Sequence, residues 1–385
     1  MSDEEIKQDR TAFRKRFFPE TTRAEWSDWR WQLRNRFMDG AALQRVLHLS
    51  DAERAAFDGH ALPMPLAITP YYASLMDPED PTDPLRRTLV PTAHERLIAP
   101  GEAEDPLDES HATVVPGLIR RHEDRVVLLA TDRCAAYCRY CTRSRLAGGG
   151  QPVRKNWRRA IDYIAAHQEI SDVLISGGDP LIFSTRRLES LVRSLRAIRH
   201  VELIRIGSRM PLLAPMRITG KLVAMLKRYH PLAISLHATH PEELTPEAGQ
   251  ALARLANAGI LLAGQTVLLA GINDSADTLR ALMRGLLFHR VRPYYLYQCD
   301  PIPGSGHFRV PVARGLALID QLVGHISGYA VPRYVIDAPG GGGKIPVGSP
   351  NRIGRDGEGW WIQNHLGRIY RYPDPDSEAQ GDVSC

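Results

Sequence analysis

Short apolar runs alternate with helix-forming segments from residue 125 onwards, and this alternation limits the fold more than any other feature of the sequence. Strands alternating with helices of this length predict a parallel sheet with right-handed crossovers. Six such units predict an α/β fold built as a partial (βα)6 barrel, in which chemistry lies at the carboxyl ends of the strands. The predicted strands cover 125–131, 172–178, 201–208, 232–238, 260–269 and 292–299, and the predicted helices cover 155–168, 185–198, 218–229, 243–258 and 275–289.

The remaining sequence divides around this core. In the aromatic segment EWSDWRWQLRNRF, the spacing from Trp26 through Trp29 to Leu33 fits one helix face, which we interpret as a packing or subunit-contact surface. Frequent prolines before the core predict an extended segment that wraps over it, and an alternating pattern around Leu366 and Gly367 predicts a hairpin. The predicted parts are a helical N-terminal segment (1–62), the wrapping segment (63–124), the barrel core (125–332), a C-terminal extension with the hairpin (333–373) and a disordered tail (374–385).

Three of the five cysteines, Cys134, Cys138 and Cys141, follow the first predicted strand within a short stretch. Three interpretations are compatible with this spacing. A structural zinc site usually takes four ligands, and no fourth partner is close in sequence. A redox dithiol would need only Cys138 and Cys141. The tight loop favours the third interpretation, a four-iron, four-sulfur cluster with one iron left open for a substrate or cofactor.

Two glycine-rich stretches follow other strands. SGGDP brings Gly177, Gly178 and Asp179 to the end of the second strand, where the glycines allow close backbone approach and the aspartate orders the turn. DAPGGGGKIP places Lys344 behind four glycines, whose ordering costs much backbone entropy. This stretch is either a flexible hinge or a loop that presents an amine for a Schiff base with pyridoxal 5′-phosphate.

The composition argues against several classes of function. With 49 Lys and Arg against 44 Asp and Glu, the net charge is +5 and the basic residues are spread along the chain, so we predict no nucleic-acid partner. The polar N-terminus MSDEEIKQDR predicts no secretory signal, and no apolar run reaches the ~18 residues of a membrane span. The cysteines are odd in number and crowded together, which argues against a disulfide framework. Together with the missing signal and membrane span, this predicts a cytoplasmic location without membrane association.

The pattern Cys-x3-Cys-x2-Cys after the first strand resembles the radical S-adenosylmethionine enzymes, and SGGDP resembles their glycine-rich segment. With the glycine–lysine stretch added, the sequence resembles the lysine 2,3-aminomutase family along nearly its whole length. This resemblance implies an isomerase whose cofactors are a [4Fe-4S] cluster, S-adenosylmethionine and pyridoxal 5′-phosphate. The segments that carry it are WSDWRWQLRNR, ITPYYASLMDP, VPGLIRR, CRYCTRSR, RPYYLYQCD, GHISGYAVP and VIDAPGGGGKIPV.

The resemblance also implies roles for particular residues. Lys344 would form the internal Schiff base, and the three cysteines would bind the cluster. Arg143 would pair with the α-carboxylate of the substrate, a role that suits a planar guanidinium. His237 would lie near the S-adenosylmethionine pocket, although a histidine at a strand end is often satisfied by local partners. The other implied contacts are those of Arg121, Arg125 and Gln265 with pyridoxal phosphate, and those of Gly177, Gly178 and Asp179 with S-adenosylmethionine.

Two acidic residues bear on the substrate. Under the resemblance, Asp300 in QCDP and Asp337 in VIDAP would hold the distal ε-ammonium of lysine. Two carboxylates that face one site repel each other unless a cation lies between them, so the pair would select a basic side chain. Without the resemblance, they are equally well a loop aspartate and a turn aspartate. The implied reaction moves the α-amino group of L-lysine to C3 and gives β-lysine, by way of a 5′-deoxyadenosyl radical and an external aldimine with pyridoxal phosphate.

Three alternatives stay open. They are the same chemistry on arginine or another diamino acid, modification of RNA or of a lysyl residue in a protein such as elongation factor P, and a catalytically silent iron–sulfur or zinc-binding protein. Ser275 and the lone tail Cys385 stand where the family has its zinc cysteines, so a zinc site is doubtful, and DPIPGSGHF after Asp300 also departs from the family. The resemblance further implies a small-molecule amino acid substrate, an electron donor such as flavodoxin or ferredoxin, and a homo-oligomer.

Overall fold

The computed structural model describes residues 3–59, 62–148, 157–348, 352–356, 359–364 and 366–373. Its main sheet has ten strands: β1 (Thr113–Val115), β2 (Leu118–Ile119), β3 (Arg125–Thr131), β4 (Asp172–Gly177), β5 (Leu203–Ser208), β6 (Leu232–His237), β7 (Leu261–Leu268), β8 (Arg292–Gln298), β9 (Arg333–Ala338) and β10 (Gly343–Pro346). The strands lie side by side in this order. Strands β3 to β9 are parallel, while β1, β2 and β10 add antiparallel pairings at the two edges.

Helices precede the sheet in the chain and connect its parallel strands. They are α1 (Asp3–Phe17), α2 (Arg23–Trp26), α3 (Trp29–Arg34), α4 (Gly40–Gln44), α5 (Asp51–Ala56), α6 (Pro70–Ala73), α7 (Pro84–Leu89), α8 (Arg158–Ala166), α9 (Thr185–Arg196), α10 (Met210–Leu213), α11 (Gly220–Lys227), α12 (Pro246–Asn257), α13 (Ala276–Phe288) and α14 (Val312–Asp320). Helix α9 shows why these segments fold as they do: Ser184 caps its first turn, and Leu188, Leu191 and Leu195 bury one face at helical spacing. No helix in the described ranges is long and apolar enough to cross a membrane.

The six predicted strands and five predicted helices of the core are confirmed, each within three residues of its predicted ends. The main sheet is larger than predicted, because β9 pairs with β8 in parallel and β10 returns beside β9. The predicted hairpin is also confirmed. It joins β12 (Gly359–Gln363) to β13 (Ile369–Pro373), and β11 (Arg352–Asp356) completes a separate three-stranded sheet. The predicted disordered tail lies outside the described residues.

The prediction that Trp26, Trp29 and Leu33 share one helix face is wrong. Asp28 accepts a hydrogen bond from the Arg30 N–H at 2.9 Å and starts a new helix, so Trp26 and Trp29 belong to α2 and α3. An N-cap inside a periodic pattern breaks its register, and DW in the sequence indicates such a cap. Trp26 packs instead against Trp31, with ring centroids 5.6 Å apart.

The two faces of the parallel strands differ, and this difference positions the site. One face buries branched apolar side chains, such as Ile175, Ile206 and Ile234, in the main hydrophobic core. The opposite face mixes polar and apolar side chains, and the register of the strands places His237 directly beside Gln265. A partly polar, partly open sheet face next to the strand ends is the surface on which the predicted chemistry would have to occur.

Candidate active site

The three cysteines lie in a loop that leaves β3 at its carboxyl end. Contacts from earlier segments fix its backbone. Arg36 Nη1 donates to the carbonyl oxygen of Cys134 at 2.6 Å, and the Tyr137 N–H donates to the carbonyl oxygen of Ala67 at 3.2 Å. The Cys141 N–H donates to the carbonyl oxygen of Cys138 at 3.1 Å and closes a turn. Contacts with residues 36 and 67 therefore hold the backbone of this loop from earlier parts of the chain.

Arg139, inside the cysteine loop, is the strongest of these anchors. Its guanidinium forms an ion pair with Glu95, and the two side chains are 0% and 7% exposed. The same guanidinium donates to the carbonyl oxygens of Met64, at 3.2 and 3.3 Å, and of Pro65, at 3.0 Å. A buried charge is stable only when it is paired and fully hydrogen-bonded, as it is here.

The cysteine thiols fit a cationic iron–sulfur cluster. Burial raises the pKa of Cys134, and burial followed by the charge of Cys138 raises the pKa of Cys141 to about 11. Three thiolates so close together need a positive partner to share. Among the described residues, no three His, Cys, Asp or Glu side chains are arranged as ligands of a single metal ion. That finding concerns one ion, whereas the thiolates of a cluster bind different irons.

Arg209 approaches the cysteine loop from the end of β5. Its Nη1 lies 2.8 Å from Cys138 Sγ, and its Nη2 forms a buried ion pair of 2.6 Å with Glu243. Tyr72 also donates its hydroxyl to Glu243, at 2.8 Å. This buried network, which the sequence analysis missed, supplies a hydrogen-bond donor to a predicted cluster ligand.

The SGGDP segment packs directly on the first residues of the cysteine loop. Gly177 has a φ of +107°, and a Cβ there would lie 2.3 Å from the carbonyl oxygen of Thr131. A Cβ on Gly178 would lie 2.2 Å from the carbonyl oxygen of Arg133. Only glycine allows this close approach.

Asp179 orders the turn, as the sequence analysis proposed. Its buried carboxylate accepts hydrogen bonds from Ser208 Oγ and from the backbone N–H groups of Leu181, Arg209 and Met210, at 2.9 to 3.0 Å. Its partners therefore lie within the fold, and it acts on the site by joining the ends of β4 and β5. Its assignment to S-adenosylmethionine remains a prediction, as do those of Gly177 and Gly178.

Lys344 lies on β10, directly opposite Asp337 of β9 in the antiparallel register. Its Nζ is 3.0 and 3.2 Å from the two carboxylate oxygens of Asp337 and 5.6 Å from the centre of the Tyr297 ring. The Lys344 side chain is 41% exposed, whereas that of Asp337 is 11% exposed. An accessible amine beside an aromatic ring fits a lysine that binds pyridoxal phosphate.

The glycine run forms a defined turn between β9 and β10. Gly340, Gly341 and Gly343 have φ values of +68°, +89° and +77°, which favour glycine. A Cβ on Gly341 would lie 2.5 Å from Arg121 Nη1, and the Gly340 N–H donates to the carbonyl oxygen of Pro106 at 2.9 Å. Of the two interpretations of this run, the lysine-presenting loop fits this geometry. The turn also lies beside Arg121.

Several basic side chains lie beside this turn. Burial lowers the pKa of His122, and the charges of Arg125 and Lys344 lower it further. Arg125 pairs with Asp124 at 2.8 Å, and it lies at the amino end of β3, six residue steps or roughly 20 Å from the end that carries the cysteines. Basic groups suit a phosphate dianion, and here Asp124 and Asp337 pair with Arg125 and Lys344 in its place. Gln265 is linked to Lys344 through Tyr297, because its Nε2 is 3.4 Å from the hydroxyl of Tyr297 and the centre of that ring is 5.6 Å from Lys344 Nζ.

Arg143 is held by a residue that the sequence analysis missed. Its Nε and Nη2 donate to the buried carboxylate of Glu109 at 2.7 to 3.1 Å, while Nη1 lies 3.4 Å from Ser176 Oγ. Burial alone would raise the pKa of Glu109, but Arg143 and then Arg145 hold it below its usual value. Glu109 sits in a proline-rich stretch without periodicity, so no pattern indicated it.

Asp300 lies close to the other predicted substrate residues. Thr142, between Cys141 and Arg143, donates its hydroxyl to Asp300 Oδ2. Burial, followed by the charge of Asp337, raises the pKa of Asp300 to about 6. The positive charges of Lys344 and Arg143 act on the same carboxylate in the opposite direction. Asp300, Asp337, Lys344 and Arg143 therefore form one electrostatic neighbourhood.

His237 adjoins this neighbourhood at the end of β6. Burial, followed by the charges of Arg209 and Arg143, lowers its pKa to about 4. The ring is therefore neutral near pH 7, and Gln265 is its hydrogen-bond partner. His237 thus has a local partner, and its assignment to S-adenosylmethionine stays a prediction. Ser275 caps α13 and accepts from the Thr278 N–H at 3.1 Å, whereas Cys385 lies outside the described residues, so the expectation about zinc stays a prediction.

Comparisons with known proteins agree with this geometry. Residues 123–206 match the family model for a 4Fe-4S single cluster domain, and residues 319–384 match the model for lysine-2,3-aminomutase. The L-lysine 2,3-aminomutase of Fusobacterium nucleatum is 47% identical over 94% of this chain and 86% of its own length. That of Clostridium subterminale is 46% identical over 94% of this chain and 88% of its own length. A glutamate 2,3-aminomutase of Clostridioides difficile is 39% identical over 85% of this chain and 78% of its own length.

The fold, the cysteine loop and the cluster-domain match define a radical S-adenosylmethionine enzyme. The extent of the matches identifies it further: the chain belongs to the lysine 2,3-aminomutase family. It is therefore an isomerase whose cofactors are a [4Fe-4S] cluster, S-adenosylmethionine and pyridoxal 5′-phosphate.

Proposed function

We propose that the chain moves the α-amino group of L-lysine to C3 and releases β-lysine. The observation that carries this proposal is the neighbourhood of two carboxylates and one guanidinium beside Lys344, in which Asp300 and Asp337 interact with each other and with Arg143. A diamino acid complements such a site, because its α-carboxylate can pair with the guanidinium and its side-chain ammonium can pair with the two carboxylates. The high identity to L-lysine 2,3-aminomutases supports the same substrate.

Arg143 binds the α-carboxylate of the substrate in this proposal. Glu109 already occupies its Nε and Nη2 edge, and this contact fixes the plane of the guanidinium. The Nη1 group, which lies toward Ser176, remains to receive the carboxylate. A pre-oriented guanidinium loses little entropy on binding.

Asp300 and Asp337 bind the distal ammonium. Two facing carboxylates need a cation between them. In the cofactor-free chain the Lys344 ammonium, 3.0 Å from Asp337, supplies a positive charge on one side of the pair. Once Lys344 holds pyridoxal phosphate as a Schiff base, that ammonium is no longer available, and the ε-ammonium of the substrate would supply the cation.

The cofactors would be held by the residues named above: the cluster by Cys134, Cys138 and Cys141, pyridoxal phosphate by Lys344 with Arg121, Arg125 and Gln265, and S-adenosylmethionine by Gly177, Gly178, Asp179 and His237. When bound, the cluster and S-adenosylmethionine supply a hydrogen-abstracting radical, and pyridoxal phosphate supplies a conjugated ring that stabilises an adjacent radical. The protein holds C3 of the substrate in place and excludes water from the reacting atoms.

The wider assembly is also part of this proposal. The parallel strands β3 to β8 would curve as a partial (βα)6 barrel around the partly polar face, which is supported by the alternation of buried and half-buried residues along β4 and β5. A small electron carrier such as flavodoxin or ferredoxin would reduce the cluster, and the enzyme would act in the cytoplasm as a homo-oligomer.

The test is an assay of anaerobically purified protein loaded with iron, sulfide and pyridoxal phosphate, with S-adenosylmethionine and a reductant added. Lysine, arginine, ornithine and glutamate are offered separately, and β-amino acids are followed by mass spectrometry. We expect β-lysine as the dominant product. A β-amino acid formed only from arginine or ornithine would support the 2,3-amino migration but contradict lysine as the substrate. Cleavage of S-adenosylmethionine without any β-amino acid would indicate a protein or RNA substrate instead.

A further inference from the structure

The tripeptide Cys141-Thr142-Arg143 brings three functions together. Cys141 is a predicted cluster ligand, Arg143 is the proposed α-carboxylate partner, and the residue between them touches Asp300. Consecutive turns hold the tripeptide, because the Cys141 N–H donates to Cys138 at 3.1 Å and the Ser144 N–H donates to Cys141 at 2.9 Å. Thr142 therefore cannot move independently of the two residues that flank it.

Asp300 is fixed on its own side by short-range contacts. The Ile302 N–H donates to the Asp300 carbonyl oxygen at 2.9 Å, and Ser305 Oγ donates to the same oxygen at 3.1 Å. These contacts hold the backbone but leave the carboxylate to rotate. The Thr142 hydroxyl is the hydrogen-bond donor to this carboxylate among the contacts of the described residues, and it engages Oδ2. Oδ1 is then left for another cation or donor.

We propose that Thr142 is a positioning residue that ties the Asp300 carboxylate to the cluster loop and so sets the length of side chain that the site accepts. This inference rests on the proposed function, because it takes Asp300 as a partner of the substrate's distal ammonium. One rigid tripeptide then fixes the cluster, the α-carboxylate site and the ammonium site relative to each other. A substrate that is one methylene shorter cannot reach both ends from the same position.

A pair of substitutions separates the hydrogen bond from the packing. Thr142→Val keeps the shape and removes the donor, whereas Thr142→Ser keeps the donor. The probe is binding to the enzyme loaded with cluster and pyridoxal phosphate, without S-adenosylmethionine so that nothing turns over. Titration of the pyridoxal absorbance gives dissociation constants for lysine and for norleucine, which has the same chain length but no distal ammonium.

We expect Thr142→Val to weaken lysine binding about tenfold, as expected for the loss of a hydrogen bond to a charged group, and to leave norleucine binding unchanged. The same variant should raise the KM for lysine with little change in kcat, and it should reduce discrimination against ornithine. The dissociation constant of Thr142→Ser for lysine should stay within about twofold of the wild type, and iron content should be equal in all three proteins.

The pH dependence of lysine binding should change as well. The Thr142 hydroxyl lowers the pKa of Asp300, so in Thr142→Val the loss of binding on the acid side should begin at higher pH.

Two outcomes would overturn the inference. One is unchanged lysine binding in Thr142→Val; the other is an equal loss for lysine and norleucine, which would make Thr142 merely structural. The failure of the proposed function looks different. In that case the wild-type enzyme itself would bind lysine no better than norleucine, and Thr142 would then have no distal ammonium to position.

Discussion

The cysteine loop and the glycine–lysine hairpin, which consists of β9, the glycine turn and β10, carry the two halves of the proposed chemistry, and they are built in opposite ways. The cysteine loop (134–141) is packed under the N-terminal segments, and its Arg139 is fully buried with Glu95. The hairpin (337–346) lies at a sheet edge, where Lys344 and Ile345 are exposed. The first region is fixed by buried charge, and the second by backbone turns that only glycine adopts without strain.

This difference matches what each region has to do. Ligands of a cluster must keep one geometry through every reduction and cleavage, so a buried, cross-linked loop suits them. A lysine that is displaced by its substrate must leave and return, so an accessible strand with few side-chain contacts suits it. The contrast gives expectations that differ between the two regions.

The largest effect is expected from the cysteine loop. Cys138→Ser removes a predicted thiolate ligand, so we expect loss of the cluster's visible absorbance and a fall in turnover to below about one ten-thousandth of the wild type. Pyridoxal phosphate should still bind, because Lys344 lies on a different strand. Iron analysis and absorbance after anaerobic reconstitution measure this. Cys299→Ser is the matched control, since Cys299 is buried outside the loop and its substitution should leave the iron content intact.

The converse is expected from the hairpin. Lys344→Ala should retain the cluster but lose the absorbance of lysine-bound pyridoxal phosphate, and activity should fall about 10³-fold or more. Borohydride reduction followed by peptide mass spectrometry locates the labelled lysine. Lys221→Ala, at an exposed position on α11, is the control that should label as the wild type does. Label at another lysine, or unchanged absorbance in Lys344→Ala, would contradict the assignment.

The sequence indicates these two regions unequally well. The cysteines, Lys344 and the alternation of strands and helices can be predicted because spacing and periodicity carry them. Glu95, Glu109 and Arg209 could not be, because their importance comes from contacts across more than thirty residues of chain, with no local pattern. Long-range ion pairs are set by the fold as a whole, and a single sequence does not reveal which charges meet.

The buried anchor of the cysteine loop gives the next effect. Glu95→Gln leaves the charge of Arg139 buried without its partner, so we expect the free energy of unfolding to fall by about 3–5 kcal/mol. Chemical denaturation followed by tryptophan fluorescence measures the change. Glu79→Gln is the control. Glu79 pairs with His48, and their side chains are 67% and 74% exposed, so the loss of this ion pair should change the stability too little to detect. Equal effects of the two substitutions would show that Arg139 does not anchor the loop.

The smallest effect concerns the turn that presents Lys344. Gly340 has a φ of +68°, and a Cβ there would meet nothing within 4 Å, so Gly340→Ala tests backbone strain alone. We expect a loss of about 1 kcal/mol in unfolding free energy, with pyridoxal phosphate bound more weakly and cluster content unchanged. Gly220 is equally open but starts α11 without a left-handed φ, so Gly220→Ala should be neutral or stabilise by about 0.5 kcal/mol. If both substitutions proved equally mild and cofactor binding were unchanged, the run would act as a hinge rather than a defined turn. The contrast between the two regions would then rest on the cysteine loop alone.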